Sequence, residues 1–434
     1  MSETENNQPV TNRRVPPGVD RATARKIDVS ASEAFMLDVE PPRVSVEDFR
    51  QLLMSAVFSG ASDVTIQSDQ QPRADINGRL YRVTRRPWGP SEVDQVLQEV
   101  YGAANARTEI NGMRVLDFSY ELALPDNSRQ RFRVNATGIF GRDGAGVEVT
   151  LRALPKNTPD RVGVALSEAE MDALTPRDGL VVIAGATGSG KSTTMAAVTR
   201  SHLENVDIPV KIVDIQAPIE YTFRDVTRAL AGSPSTIGQS EVGRHVTGFS
   251  EGVRSALRRK PDIINVGEAR DFETISASLE ASQTGHLVYT TTHADSVSGT
   301  MRRLLSTFPA AERDSRAYDL VSSLRFIMVQ SLIPRIDTSG RVAVREYLRF
   351  TTRLRERLLS APVGDWPSIV NREVASPAPD AGTDDLRRSL AEAVLPHLQA
   401  GRISRSRAIQ VAPDLVREGY DLSVAEVEDR EVPA

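Results

Sequence analysis

The chain has 434 residues, room for two or three domains, and its 40% hydrophobic and 26% charged content is that of an ordinary soluble protein. A net charge of −5 gives no overall basic balance toward nucleic acid, and the lack of cysteine excludes disulfides and thiolate metal sites and fits a reducing compartment. No apolar run approaches the ~18 residues that cross a bilayer, and the polar start MSETENNQPVTNRR lacks a secretory core, so a cytosolic protein with at most peripheral membrane contact is expected.

Residues 1–40 are polar and aperiodic, which predicts a disordered tail or a short interaction segment within it. Residues 41–154 predict an α+β domain. Phe49, Leu52, Leu53 and Ala56 have helical spacing, residues 62–68 alternate like a strand, and Asn77-Gly78 signals a hairpin. Residues 116–122, 130–136 and 147–151 add strands, mostly antiparallel. The polar, Pro-containing PKNTPDRVG, residues 155–163, reads as a linker, followed by a short helix over 166–174. From 164 to 350 apolar strand-like runs at 180–184, 210–214, 262–266, 287–291 and 326–331 alternate with helices over 193–206, 249–259, 271–283 and 297–306. That alternation predicts an α/β fold with a mostly parallel sheet covered on both faces. Residues 351–434 are expected to be a helical region with a loop near Pro377–Pro379 and helices over 384–399 and 404–417.

The organising stretch is GLVVIAGATGSGKSTT, residues 179–194. Gly185-Ala186-Thr187-Gly188-Ser189-Gly190-Lys191-Ser192 fits GxxxxGK[ST] between an apolar strand and a helix start, with Thr193 following. Glycines let the backbone turn its N–H groups onto phosphate oxygens. Lys191 adds a point charge toward the outer phosphates, and Ser192 offers a hydroxyl to Mg²⁺. ATP with Mg²⁺ is therefore the expected ligand pair. The alternative is a glycine turn in an α/β protein that binds no nucleotide.

A second element, Asp262-Ile-Ile-Asn-Val-Gly-Glu268, ends a strand in a carboxylate. At the carboxyl edge of a parallel sheet Glu268 can orient a water for attack on the γ-phosphate and support the Mg²⁺ shell; otherwise it is a surface acid. Thr284-Gly-His286 and Thr292-His293 flank another strand, and His293 suits a nucleotide-linked role better than His286. Asp214 and Glu220 close a fourth element, in which Glu220 can hold a water of the metal shell or be a solvated loop acid.

These four elements, in this order, resemble the secretion ATPases of the PilT/GspE superfamily. The closer likeness is to the branch containing DotB of Dot/Icm type IVB secretion and TraJ of IncI-type conjugative plasmids. It rests on Gln239-Ser-Glu-Val-Gly-Arg-His245, the run Gly252 to Pro261, Gly267-Glu-Ala-Arg-Asp and the run Glu280 to Thr291. It covers roughly residues 45–355, because Ala61-Ser-Asp-Val, Asn77-Gly-Arg-Leu and Arg131-Phe-Arg-Val-Asn-Ala resemble the superfamily's PAS-like front domain. The resemblance implies a RecA-like ATPase core and a homohexameric ring. It also implies inner-membrane and cytoplasmic partners in a secretion or conjugation complex, and a cytoplasmic location at the inner membrane. It further implies that Arg131 and Arg133, and less directly Arg152, approach the bound phosphates. One departure is plain: Gln216-Ala217 stands where many relatives carry Glu-Asp, which leaves Glu220 as the acid carried over.

A motor serving secretion or conjugation is the primary expectation. Its alternatives are a pilus-retraction motor and an ATP-binding scaffold with little hydrolysis. Arg258, Arg259 and Lys260 raise DNA translocation, but in a net-acidic chain they suit subunit contacts better, and direct nucleic-acid binding is not expected.

Overall fold

The computed structural model describes residues 34–422 apart from 38, 143, 231, 339, 377–384, 418 and 421. Residues 1–33 of the tail predicted over 1–40, and the predicted loop, lie outside them. The chain divides into two compact units, with the boundary after Lys156.

The front unit contains α1 (Val46–Phe58), β1 (Ala61–Gln67), β2 (Arg73–Ile76), β3 (Arg79–Arg82), α2 (Pro90–Tyr101), α3 (Ala106–Asn111), β4 (Leu116–Ala123), β5 (Arg129–Ile139) and β6 (Gly146–Ala153). Ser45 and Asp48 form a reciprocal cap that starts α1, and Phe49, Leu52, Leu53 and Ala56 are the residues it buries. Asn77 and Gly78 adopt φ of 55° and 78°, the left-handed pair that turns β2 into β3. The sheet order is β3-β2-β1-β6-β5-β4, with every pairing antiparallel. Val64, Ile66, Phe132, Val134, Val149 and Leu151 face a core shared with α1 and α2. Ala34, Met36 and Leu37, read from sequence as the end of the tail, belong to this core. The Met36 amide donates to the Val83 carbonyl at 3.0 Å.

The second unit begins with α4 (Glu168–Leu174), β7 (Gly179–Ala184), α5 (Lys191–Glu204), β8 (Lys211–Gln216), α6 (Arg224–Ala229), β9 (Thr236–Glu241), α7 (Phe249–Leu257) and β10 (Ile263–Val266). It continues through α8 (Phe272–Gln283), β11 (Leu287–Thr292), α9 (Val297–Ser306), α10 (Arg313–Ser323), β12 (Leu324–Pro334) and β13 (Arg341–Arg349). With β14 (Arg387–Arg388) at one end, the order β14-β13-β12-β7-β11-β10-β8-β9 is parallel from β12 through β9. Every residue of β7 is buried. Leu180, Val182 and Ala184 enter one apolar cluster, whereas Val181 and Ile183 enter another on the opposite face. This is a mixed α/β fold with a large, mostly parallel sheet, as the alternating pattern predicts.

The last region departs from expectation in detail. α11 (Thr352–Leu359) and α12 (Trp366–Ala375) are followed by a two-residue strand, β14 (Arg387–Arg388), which pairs with β13. The helix predicted over 384–399 starts only at α13 (Leu390–Gln399), because the Ser389–Glu392 capping box fixes its first turn there. The helix predicted over 404–417 splits into α14 (Arg405–Val411) and α15 (Asp414–Arg417), because Pro413 has no N–H to continue the ladder.

Candidate active site

The phosphate-loop pattern occupies the turn from β7 into α5. A Cβ on Gly185 would strike the Gln330 carbonyl and the Ser189 hydroxyl, so only glycine fits beside β12. Ala186, Thr187 and Gly188 form an exposed crest, while Ser189 is buried with its hydroxyl lacking a partner. Gly190 (φ 83°) precedes α5 and brings no capping side chain, so the first amides of the helix remain open to an anion. This loop fits a polyphosphate: glycine at the tight positions, an uncapped helix start and an orphaned hydroxyl. Lys191 curls across the loop, its Nζ donating to the Gly185 and Ala186 carbonyls at 2.9 Å each. Burial lowers its pKa, and the charges of Glu268 and Glu220 oppose that shift. Both carboxylates therefore act on this ammonium group.

Glu268 leaves the carboxyl end of β10 on a turn held from both sides. The Gly267 amide donates to the Ile215 carbonyl at 2.8 Å, the Ala269 amide to the Thr291 carbonyl at 2.9 Å, and the Thr291 hydroxyl to the Gly267 carbonyl. His293, just past β11, has Nε2 3.5 Å from a Glu268 oxygen, with both side chains partly exposed. Thr292 is instead buried. His286 lies before β11, at the opposite edge of the sheet from the loop, bonded to Thr284 and Ala281. The Arg258–Lys260 cluster also precedes its strand, β10, at that far edge.

Asp214 is buried inside β8. It accepts from Gln216 at 2.7 Å and Gln239 at 2.8 Å, and burial raises its pKa against those bonds. Gln216 thus has a defined place: its amide supports Asp214 while its oxygen lies under Gly267, where a Cβ would come within 2.6 Å. A small cavity beside the loop is lined by Ser192, Asp214, Gln216, Glu220, Tyr221 and Asn265. The Thr193 hydroxyl, one residue after Ser192, bonds the Tyr221 hydroxyl at 3.0 Å.

Residues that local sequence did not flag brace the other side of the loop. The buried Gln330 side chain on β12 donates to the Ser189 carbonyl at 2.6 Å. It accepts from Thr194 and Arg345 at 2.8 Å each. Arg345 is itself buried and donates to the Val164 and Ala165 carbonyls. Gln330 lies 141 residues from Ser189 and 136 from Thr194 along the chain, so only the sheet order brings them together.

In the front unit, Arg131 and Arg133 on β5 and Arg152 on β6 share the sheet face turned away from α1 and α2. Arg133 pairs with Asp117 at 2.6 Å and Arg152 with Asp63 at 2.7 Å. Among the described residues no group of three or more His, Asp or Glu is arranged to hold a metal alone. A metal bound here would take ligands from its nucleotide, with Ser192 as the hydroxyl beside it.

Residues 44–398 match the family described as Type II/IV secretion system protein. The type IV pilus retractation ATPase PilT of Pseudomonas aeruginosa is 33% identical over 324 residues, covering 74% of this chain and 88% of that protein. The type II secretion system protein E of Klebsiella pneumoniae is 31% identical over 319 residues, 69% of this chain and 57% of its own. Among solved structures, the ATPase DotB of Legionella pneumophila is similar with a TM-score of 0.78 and 34% identity, covering 90% of this chain and all of that one. The pilus retraction motor PilT with bound ADP gives 0.69 and 26% over 85% of this chain and 98% of its own. With the family profile covering most of its length and the fold shared with DotB and PilT, this chain belongs to the type II/IV secretion system protein family, the PilT/GspE superfamily of secretion ATPases.

Proposed function

We propose that this protein hydrolyses ATP and, as a homohexameric ring, uses the cycle to drive a type IVB-like secretion or conjugation machine. The observation that supports it most is one convergence: Lys191, Ser192, Glu220, Glu268 and His293 lie at one edge of one parallel sheet. In open α/β sheets that carboxyl edge is where ligands bind.

The loop amides and Lys191 hold the phosphates, which requires Lys191 to leave the Gly185 and Ala186 carbonyls. Glu268, fixed by its backbone turn, accepts a proton from the attacking water. His293 stands beside that carboxylate and orients it. Ser192 would offer its hydroxyl to Mg²⁺, which when bound would neutralise charge that develops on the transferring group. Glu220, which lines the same small cavity as Ser192, would hold a water of that ion's shell. Arg131 and Arg133 are the cations proposed to stabilise the transferring phosphoryl group.

Lys191→Ala or Glu268→Gln should lower steady-state phosphate release by about 100-fold or more, the scale of a lost general base or phosphate cation. Release at the parental rate in either purified variant would overturn the hydrolytic reading and leave an ATP-holding scaffold. The 34% identity to DotB across 90% of the chain favours the secretion or conjugation task. The PilT relatives favour a second reading, pilus retraction. Pilin genes beside this gene would support retraction, and conjugation genes the first task. No helix among the described residues is long and apolar enough to cross a membrane, so attachment at the inner membrane is proposed to run through partner proteins.

A further inference from the structure

The stretch Gln239–His245 carries part of the family likeness, yet the hydrolytic chemistry leaves it without a task. Its residues Gln239 and Glu241 lie on β9, the outermost parallel strand, opposite Asp214 and Gln216 of β8. Two residues apart on a strand, their side chains project to the same face. That face meets the segment from Ala217 to Phe223, which carries Glu220.

This segment has no ladder of its own, so its main-chain groups need partners. β9 supplies them. Glu241, only 1% exposed, accepts the Ile219 amide at 3.2 Å. The Gln239 amide nitrogen donates to the Tyr221 carbonyl at 2.9 Å, and its oxygen accepts the Phe223 amide at 3.4 Å. The same nitrogen donates to the buried Asp214 at 2.8 Å. Three main-chain groups straddling Glu220 are thus held by two side chains. Tyr221 completes the chain of contacts by bonding Thr193 in the first turn of α5.

The end of β9 is itself braced. Gly243 (φ 84°) turns the chain back, and His245 Nδ1 accepts the Glu241 amide at 2.9 Å. Position 239 needs two donations and one acceptance at a single side-chain end. A primary amide of this length provides both, and a carboxylate provides only the acceptor.

We propose that Gln239, supported by Glu241, is a positioning residue that aims Glu220 at the Lys191–Ser192 end of the phosphate loop. It acts through the Ala217–Phe223 main chain and does not itself reach nucleotide. This rests on the hydrolytic reading above, in which Glu220 serves the reaction.

The test is a double-variant cycle on the full chain, read by phosphate release and by the ATP concentration at half-maximal rate. Gln239→Met keeps the side chain's length and removes its hydrogen bonds, and a thermal midpoint within a few degrees of the parent shows that the variant folds. If it does not fold, Gln239→Glu keeps the Phe223 contact and loses both donations, and it takes the same place in the cycle. The expected result is a fall in kcat of about 10-fold with KM changed less than about twofold, the mark of misplacement and not of lost ground-state binding. In the Glu220→Gln background the same change should cost nothing further, because both act through one carboxylate. An equal loss in both backgrounds, or an unchanged kcat, overturns the proposal. So does a Glu220→Gln protein that turns over at the parental rate, while turnover that still depends on Glu268 leaves the ATPase reading intact. Turnover insensitive to both Lys191→Ala and Glu268→Gln is the separate result that defeats that reading.

Discussion

The two sheets of this molecule handle charge in opposite ways. In the front unit an antiparallel sheet buries one face under α1 and α2 and leaves the other polar. There Arg133 lies beside Asp117 and Arg152 beside Asp63. In the second unit the parallel sheet is buried on both faces, and the charged groups of the site gather at its carboxyl edge. At the carboxyl edge they are held by main-chain turns and buried amides more than by ion pairs. A sheet face can carry a row of charges cheaply, because each is solvated and has a neighbour. A sheet edge concentrates a few groups and must fix each one, which is the condition for chemistry.

Arg133→Ala sharpens the contrast most. The Arg133–Asp117 pair is exposed, about 40% on each side chain, and is worth less than about 1 kcal/mol to folding. If the cation also serves the transferring phosphoryl group, phosphate release should drop roughly 1000-fold with the urea midpoint unmoved. Loss of neither would make the face a solvated surface only.

Gln330→Ala attacks the edge from below. It leaves the Ser189 carbonyl, the Thr194 hydroxyl and the buried Arg345 guanidinium without a shared partner. A loss of about 3 kcal/mol in urea unfolding is expected, together with weaker nucleotide binding. An unchanged midpoint would show that the loop is not braced through β12.

The smallest effect concerns acid. His202 on α5 shares a hydrogen bond of 2.7 Å with Tyr289, whose hydroxyl donates to the Leu174 carbonyl. The imidazole therefore donates, in its neutral form, and burial pushes its pKa down to about 4. A lowered folded pKa means that its contribution is complete above pH 6.5 and disappears as pH falls toward 4. Since the ring keeps some solvent contact, about 2 kcal/mol is at stake. His202→Gln, which retains a donor, should flatten that part of the stability–pH curve; an unaltered curve would rule His202 out as its source.

Local pattern accounted for the elements that carry most of the site. The run Leu180 to Ala184, the glycine loop and the strand before Glu268 are contiguous signals, and they formed where periodicity and turn chemistry placed them. The helix Pro90–Tyr101 was not among the predicted elements, although Val93, Val96, Leu97 and Val100 stand at helical spacing. Antiparallel β13 and the two-residue edge strand β14 were not either, because each is defined by the partner it finds.

By itself the sequence determined the phosphate loop, the acid at 268 and the alternation that builds a parallel sheet, since each depends on neighbours within about ten residues. Tertiary structure alone decided that Gln330 and Arg345 brace that loop and that β9 grips the segment around Glu220. It also decided that His286 falls at the wrong edge while His293 meets Glu268. Those outcomes follow from strand order, which brings distant residues within hydrogen-bond reach and is written in no local stretch of chain.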